Sequence, residues 1–185
     1  AAPGAYRPPD RPRGVGRVIT VRDEGPDDIA SIRAVIVGAF GQSEEADLVE
    51  RLRHGSAATT SLVAVHVDAI VGHILFSPVT IDGTPSVRAL SLAPLAVAPT
   101  HQRRGVGAVL VEAGLARCRR LDVGIVVVLG HPHYYPRFGF QPAHQLGLMC
   151  EYDVPPELFM ALDLTPGSLD SMSGVARYHA AFGQL

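Results

Sequence analysis

Gln102-Arg103-Arg104-Gly105-Val106-Gly107 sits where a strand hands over to a helix, and no other stretch constrains the chain as tightly. Before it, Val87 to Val97 is apolar and strand-like, with Pro94 inside the run. After it, Ala108 to Leu121 reads as a helix. Apolar Val106, Val109, Leu110, Ala113 and Ala116 fall at helical spacing, and Arg117, Arg119 and Arg120 occupy the last turn. Glycines flanked by arginines at a helix start make a site for a polyphosphate. The N–H groups and the positive helix end face the anion, and a missing Cβ lets it approach closely.

A chain of 185 residues is long enough for one domain with a full hydrophobic core. Hydrophobic residues make up 47% and charged residues 18%, which excludes a disordered chain. A formal net charge of -2 gives no general electrostatic case for nucleic acid or an anionic membrane. All 16 basic residues are arginine, so Schiff-base chemistry and a Walker-type phosphate lysine are excluded. Cys118 and Cys150 form no CxxC pair and read as ordinary buried thiols of a reducing compartment. No apolar run reaches the length of a membrane span, and a cytoplasmic location is expected. Residues 1–17, rich in Pro, Arg and Gly, read as a flexible tail, leaving residues 18–185 as the domain.

Val18 to Arg22 reads as a first strand, followed by helices beginning at Asp27-Asp28 and Ser43-Glu44-Glu45. Ile29, Ile32, Ile36 and Val37 are the apolar positions of the first helix, and Leu48, Val49 and Leu52 those of the second. Two strands, Leu62 to Val67 and Val71 to Val79, flank a hairpin at Asp68-Ala69, and Asp82 to Pro85 turns again. His73 reads as a satisfied residue of the sheet. Val123 to Leu129 is a continuous apolar run, typical of a strand buried on both faces. An aromatic turn, Gly130 to Phe140, follows it. Leu146 to Tyr152, Phe159 to Leu164 and Gly174 to Phe182 are further strand candidates. The expected fold is an α/β (α+β) domain, with a mixed, mostly antiparallel sheet and helices on both faces. The strands joined by the long helix should be parallel.

Two phosphate-binding patterns fail. The segment Gly105-Val106-Gly107-Ala108-Val109-Leu110 lacks the third glycine of a dinucleotide fingerprint, and no GK[ST] is present. A third pattern, Gln/Arg-x-x-Gly-x-Gly/Ala, fits Gln102, Gly105 and Gly107. Tyr135, Gly139 and Phe140 then match a second motif, Tyr-x-x-x-Gly-Phe, after a buried strand. On these two motifs the chain resembles the GNAT acetyltransferase superfamily. Gly72 to Val79, Leu129-Gly130 and Tyr134 to Phe140 look like its YhbS-like branch.

The resemblance implies an N-acetyltransferase that moves an acetyl group from acetyl-CoA directly to an amine, with no metal. It implies that the N–H groups of Arg103, Arg104, Gly105, Val106, Gly107 and Ala108 hold the diphosphate, beside Gln102. It also implies strands splayed near Pro94, with Leu95, Ala96 and Val97 along the pantetheine arm. Tyr135 would protonate the leaving thiolate. The acceptor, a small molecule or a protein amine, is not named by any charge pattern, and a homodimer is compatible with the family. No carboxylate lies in Leu90 to Val97 to serve as general base; His131 and His133 are the nearby bases, and Glu44 and Glu45 are candidates to line the acceptor mouth. That gap keeps open a non-catalytic acyl-CoA-binding module of the same fold.

Overall fold

A computed structural model describes residues 18–55, 57, 60–83, 86–169 and 173–184. The expected tail over residues 1–17, and Thr84 and Pro85 of the expected turn, lie outside the described residues. The hairpin forms between β2 (Thr60–His66) and β3 (Ala69–Ile81). Its two-residue turn is Val67-Asp68, one position earlier than Asp68-Ala69. Both residues have positive φ, +49° and +64°, as a turn matching the twist of the strands requires. β1 (Thr20–Asp23) adds antiparallel to β2, and β4 (Ala89–Val97) antiparallel to β3.

From β4 the chain crosses through α3 (Val106–Arg120) to β5 (Ile125–Leu129), which lies parallel to β4 as the crossover demands. β8 (Phe159–Asp163) then pairs antiparallel with β5, and the short β6 (Gln141–Pro142) with β8. Two further segments extend the far end of β3. β9 (Gly174–Tyr178) pairs antiparallel with it over Val79 to Ile81, and β7 (Leu148–Cys150) lies parallel to β9. The sheet is mixed and mostly antiparallel, as expected. Two expected strands are markedly shorter than the sequence reading. The central segment expected over Leu146 to Tyr152 keeps only Leu148–Cys150 as strand. The last strand ends at Tyr178, after which a 3-10 turn, Ala180–Gln184, carries Phe182 back towards the sheet.

Helices cover both faces. α3 packs Val106, Leu110, Leu115 and Cys118 against Ile74, Phe76, Leu90, Leu92, Val126 and Val128. α1 (Ile29–Phe40) and α2 (Glu44–His54) lie on the other face, where Ile32, Ile36, Leu48, Val49 and Leu52 meet Val63, Leu75 and Ala96. The seam of α3 is rotated from the expected one, since Val109 is 39% exposed and Val111 is buried. Ile29, expected in the seam of α1, is likewise solvent-facing at 42%. Close approach of α3 rests on glycine: a Cβ at Gly114 would stand 2.4 Å from the Phe76 ring.

A polar cluster is buried where β1, α2, β2 and β3 meet. Arg53 makes two hydrogen bonds of 2.8 Å to the Glu24 carboxylate, and the Ser61 hydroxyl donates to the same group. The fully buried His73 places Nε2 2.8 Å from Ser61 Oγ. Since Ser61 gives its proton to Glu24, His73 must donate from Nε2, which fixes the neutral tautomer. Its Nδ1 is left without a hydrogen-bond partner among the described residues, so only half the ring is satisfied. Burial opposes the ionised Glu24, but hydrogen bonds from His73, Arg53 and Ser61 outweigh it and hold the carboxyl well below the usual range. Burial likewise depresses the basicity of His73, against the pull of Glu24.

A carboxyl depressed in the folded state stabilises the fold above its unfolded-state value, and that stabilisation is lost as pH falls towards the folded-state value. Resistance to urea unfolding should therefore fall with acid through the carboxylate range. Glu24→Gln should cost roughly 1–3 kcal/mol at neutral pH and flatten that acid limb. An unchanged acid limb in the variant would mean that Glu24 does not carry the dependence.

Candidate functional site

β4 and β5 start as neighbours and then part. Their parallel pairing covers only Ala89 with Ile125, Leu90 with Val126 and Ser91 with Val127. Beyond that point β4 stays paired to β3 as far as Val97, and β5 stays paired to β8 as far as Leu129. A V-shaped gap therefore opens inside the sheet. Its vertex is marked by Ser91, whose hydroxyl lies 3.0 Å from that of Ser77 in a fully buried pair. On the β4 side Ala93 and Pro94 together stand opposite Leu75, a bulge that bends the strand. Pro94 has no N–H with which to continue the ladder to β5.

Backbone alternation decides which groups face the gap. Ala98 N–H donates to the Val71 carbonyl at 2.8 Å, so Ala98 and Ala96 turn their polar backbone groups to β3. Leu95 and Val97 turn theirs to the open side. Val97 already uses its carbonyl there, accepting from Gln102 Nε2 at 3.0 Å, a bond that ties the following loop to the strand end.

That loop turns sharply into α3. Arg103 has φ +59°, and Gly105, at the helix N-cap, has φ +86°, a left-handed conformation that glycine adopts without penalty. Among the described residues no side chain caps the helix, so the first-turn N–H groups are left facing outward at the positive end of the dipole. Gln102, Arg103, Gly105, Gly107 and Ala108 line a cleft of about 1140 Å³ that continues into the V. Arg104 is exposed and does not line the cleft, and Val106 is buried in the core at the start of α3; both present backbone N–H groups at the loop. Ala96, also on the expected site, does not line the cleft: its side chain is buried against α1 and α2.

The other lip of the gap is the aromatic turn after β5. The 3-10 turn Tyr135–Phe138 stacks Tyr134, Tyr135, Phe138 and Phe140 edge to face, at centroid distances of 5.1–5.6 Å. Gly130 lets the Tyr135 ring lie flat against the strand end, since a Cβ there would stand 2.3 Å from the ring. Burial, with the neighbouring Tyr134 phenol adding to it, pushes the Tyr135 phenol well above its ordinary value. It therefore stays protonated at neutral pH, able to give a proton but not to take one. Tyr134, not singled out by the sequence, also lines the cleft. Its hydroxyl reaches across to the start of α3, where a Cβ at Gly107 would stand 2.7 Å from it. The Arg137 guanidinium holds the Tyr134 ring from its face at 4.5 Å.

The remaining wall comes from distant parts of the chain: Phe40 and Glu45 from the first two helices, Tyr152 and Val154 after β7, and Tyr178 and Phe182 at the end. His131 lines the cleft and His133 does not. Glu45 lines it and Glu44 does not. Burial pushes the Cys118 thiol up to about 12, which leaves it no nucleophilic character, while Cys150 is only half-buried. Among the described residues no group of three or more His, Cys, Asp or Glu could hold a metal, and no helix is long and apolar enough to cross a membrane.

Residues 20–143 match the model of an acetyltransferase (GNAT) domain. The chain is 42% identical over 134 residues to the uncharacterized N-acetyltransferase YjhQ of Escherichia coli K12, covering 70% of this chain and 74% of that one. The crystal structure of the GNAT family N-acetyltransferase YhbS of Escherichia coli, in complex with CoA, superposes with a TM-score of 0.86 at 32% identity. That match covers 89% of this chain and 92% of the other. A GNAT family acetyltransferase of Brucella melitensis, in complex with acetyl-CoA, gives a TM-score of 0.75 at 35% identity, covering 90% and 99%.

The contact between Gly107 and Tyr134 is separable by mutation. Gly107→Ala should destabilise the protein by roughly 1 kcal/mol through overlap with the hydroxyl. In a Tyr134→Phe background most of that cost should vanish, because the next ring atom, Cζ, lies 3.8 Å from the new methyl. A double-mutant cycle in urea measures the coupling. Strictly additive costs would show that the two residues do not meet.

Proposed function

Because the chain belongs to the GNAT acetyltransferase family, we propose that its cleft binds acetyl-CoA and transfers the acetyl group directly to an amine. The observation that carries this reading is the V between β4 and β5, with the open backbone edge of Leu95 and Val97 continuous with the uncapped start of α3. A pantetheine arm carries amide groups at the spacing of a peptide and fits that edge as a missing strand would. The N–H groups of Arg103 to Ala108 take the diphosphate, with Gln102 holding the loop and Arg103 adding its charge. The CoA and acetyl-CoA complexes of the two relatives support the choice of ligand.

In this reading the amine nitrogen attacks the thioester carbon, forming the C–N bond in a ternary complex. An N–H at the splay, Leu95 being the nearest with its amide on the open side, stabilises the oxyanion. Such a donor contributes roughly 3 kcal/mol in well-studied cases. Collapse breaks the C–S bond, and Tyr135 gives its phenolic proton to the departing thiolate. The proton released by the amine nitrogen passes to water and restores the phenol. The two unpaired cysteines suit a reducing compartment, and the reading includes a cytoplasmic location.

One observation favours a second reading, a non-catalytic acyl-CoA-binding module: β4 presents no carboxylate to the gap. Thiol release with a panel of amines separates the two, since only the enzyme turns over. Tyr135→Phe should lower kcat by about 10²–10⁴-fold while CoA affinity changes little. Unchanged turnover in that variant would remove the acid role from Tyr135. CoA binding without turnover on any amine would favour the binding module.

A further inference from the structure

Resting on the acetyl-transfer reading, we propose that the acceptor is an arylalkylamine, its ring packed against Tyr152, Tyr178 and Phe182 and its ammonium held by Glu45. The two ends of the cleft differ in chemistry. The cations that line it, Arg103 and Arg137, come from the loop before α3 and the turn after β5, where an anion is expected. The wall made by α1, α2 and the chain end is apolar and aromatic. There Tyr152 and Tyr178 lie 5.5 Å apart and Tyr178 and Phe182 5.1 Å apart, a continuous run of ring surface. Phe40 and Leu48 extend it from the helices. The Tyr178 hydroxyl is sealed from solvent and has no partner among the described residues, so what Tyr178 offers the cleft is its ring. A polyamine, an aminosugar or a free amino acid would have to shed water from many polar groups to sit here, with few partners in return. A flat apolar skeleton sheds little.

Among the described residues, Glu45 is the one carboxylate that lines the cleft. It is half-buried at the start of α2, hydrogen-bonded only to the Gln42 side chain at 3.2 and 3.4 Å, and pairs with no base among the described residues. An unpaired anion lining the same cleft as an aromatic wall selects a cation attached to an apolar body, and the ring faces of the tyrosines add to that preference. A single carboxylate also matches a single ammonium. Glu45 acts here as an anchor. The amine is released from it and gives up its proton to water before attack, and the bonds formed and broken are those of the transfer itself.

The test uses initial rates of thiol release at saturating acetyl-CoA with phenylethylamine, spermidine, glucosamine and a lysine-containing peptide, on the full chain. Phenylethylamine should exceed the others in kcat/KM by at least about 10-fold, the discrimination an apolar pocket supplies. Glu45→Gln should raise KM for phenylethylamine by about 10-fold with little change in kcat. The same variant should leave unchanged the competitive inhibition by phenylethanol, which has the ring but no charge. A merely structural role for Glu45 would weaken both ligands alike and would overturn the anchor. Tyr152→Ala should weaken phenylethanol as well as the amine. Preference for spermidine or the peptide would overturn the proposal while leaving acetyl transfer intact. So would faster turnover with octanoyl-CoA than with acetyl-CoA, because the aromatic wall would then hold an acyl chain. Calorimetric titration with CoA alone reads the underlying function separately: no binding there would overturn both.

Discussion

The parting of β4 from β5 is the constraint on which the rest of the molecule depends. Each strand remains paired on its outer side, so the sheet is not broken; only the ladder between them stops after Ser91 and Val127. Backbone donors and acceptors inside a sheet are normally spent on each other. Here the bulge at Ala93-Pro94 and the missing N–H of the proline leave the backbone groups of Leu95 and the N–H of Val97 unspent, in the interior of the protein rather than at its rim, while the Val97 carbonyl accepts from Gln102. A peptide-like arm can satisfy that edge, and the gap is held open by two packed cores rather than by flexible loops.

Close contacts through glycine then set the dimensions of the site. Gly72 and Gly114 bring α3 down onto β3, so the first turn of the helix arrives level with the mouth of the V. Gly130 lets the Tyr135 ring settle beside the end of β5, and Gly107 makes room for the Tyr134 hydroxyl. The phenol at 135 thus sits in a buried setting that keeps it protonated, while the hydroxyl of its neighbour reaches towards the glycine loop. Arg137 clamps this pair from outside through its hydrogen bond to the Tyr134 carbonyl at 2.9 Å.

Much of this was legible in the sequence, for identifiable reasons. The glycine loop, the buried run over β5, the proline in β4 and the aromatic turn are local signals, each tied to a backbone conformation that few residues tolerate. Helix seams were legible only to within a residue or two. Val109 and Ile29 keep helical spacing with their neighbours, yet lie just past the edge of the buried stripe. The parallel contact of β7 with β9 and the return of Phe182 to the cleft join segments far apart in the chain, and no local pattern encodes them. The role of Tyr134 was hidden because a neighbouring tyrosine fitted the motif, while its contact with Gly107 exists only in three dimensions. Glu45 could be read equally as a favourable charge at a helix start, and only its place on the cleft wall distinguishes it from Glu44.

The most direct measurement is a crystal structure of the full chain grown with coenzyme A. The diphosphate should lie within about 3 Å of N–H groups of Arg103 to Ala108, with the pantetheine running along Leu95 and Val97 inside the V. A diphosphate seated elsewhere, or a gap left empty at saturating coenzyme A, would contradict the central claim that the open edge of β4 and the start of α3 form one binding surface.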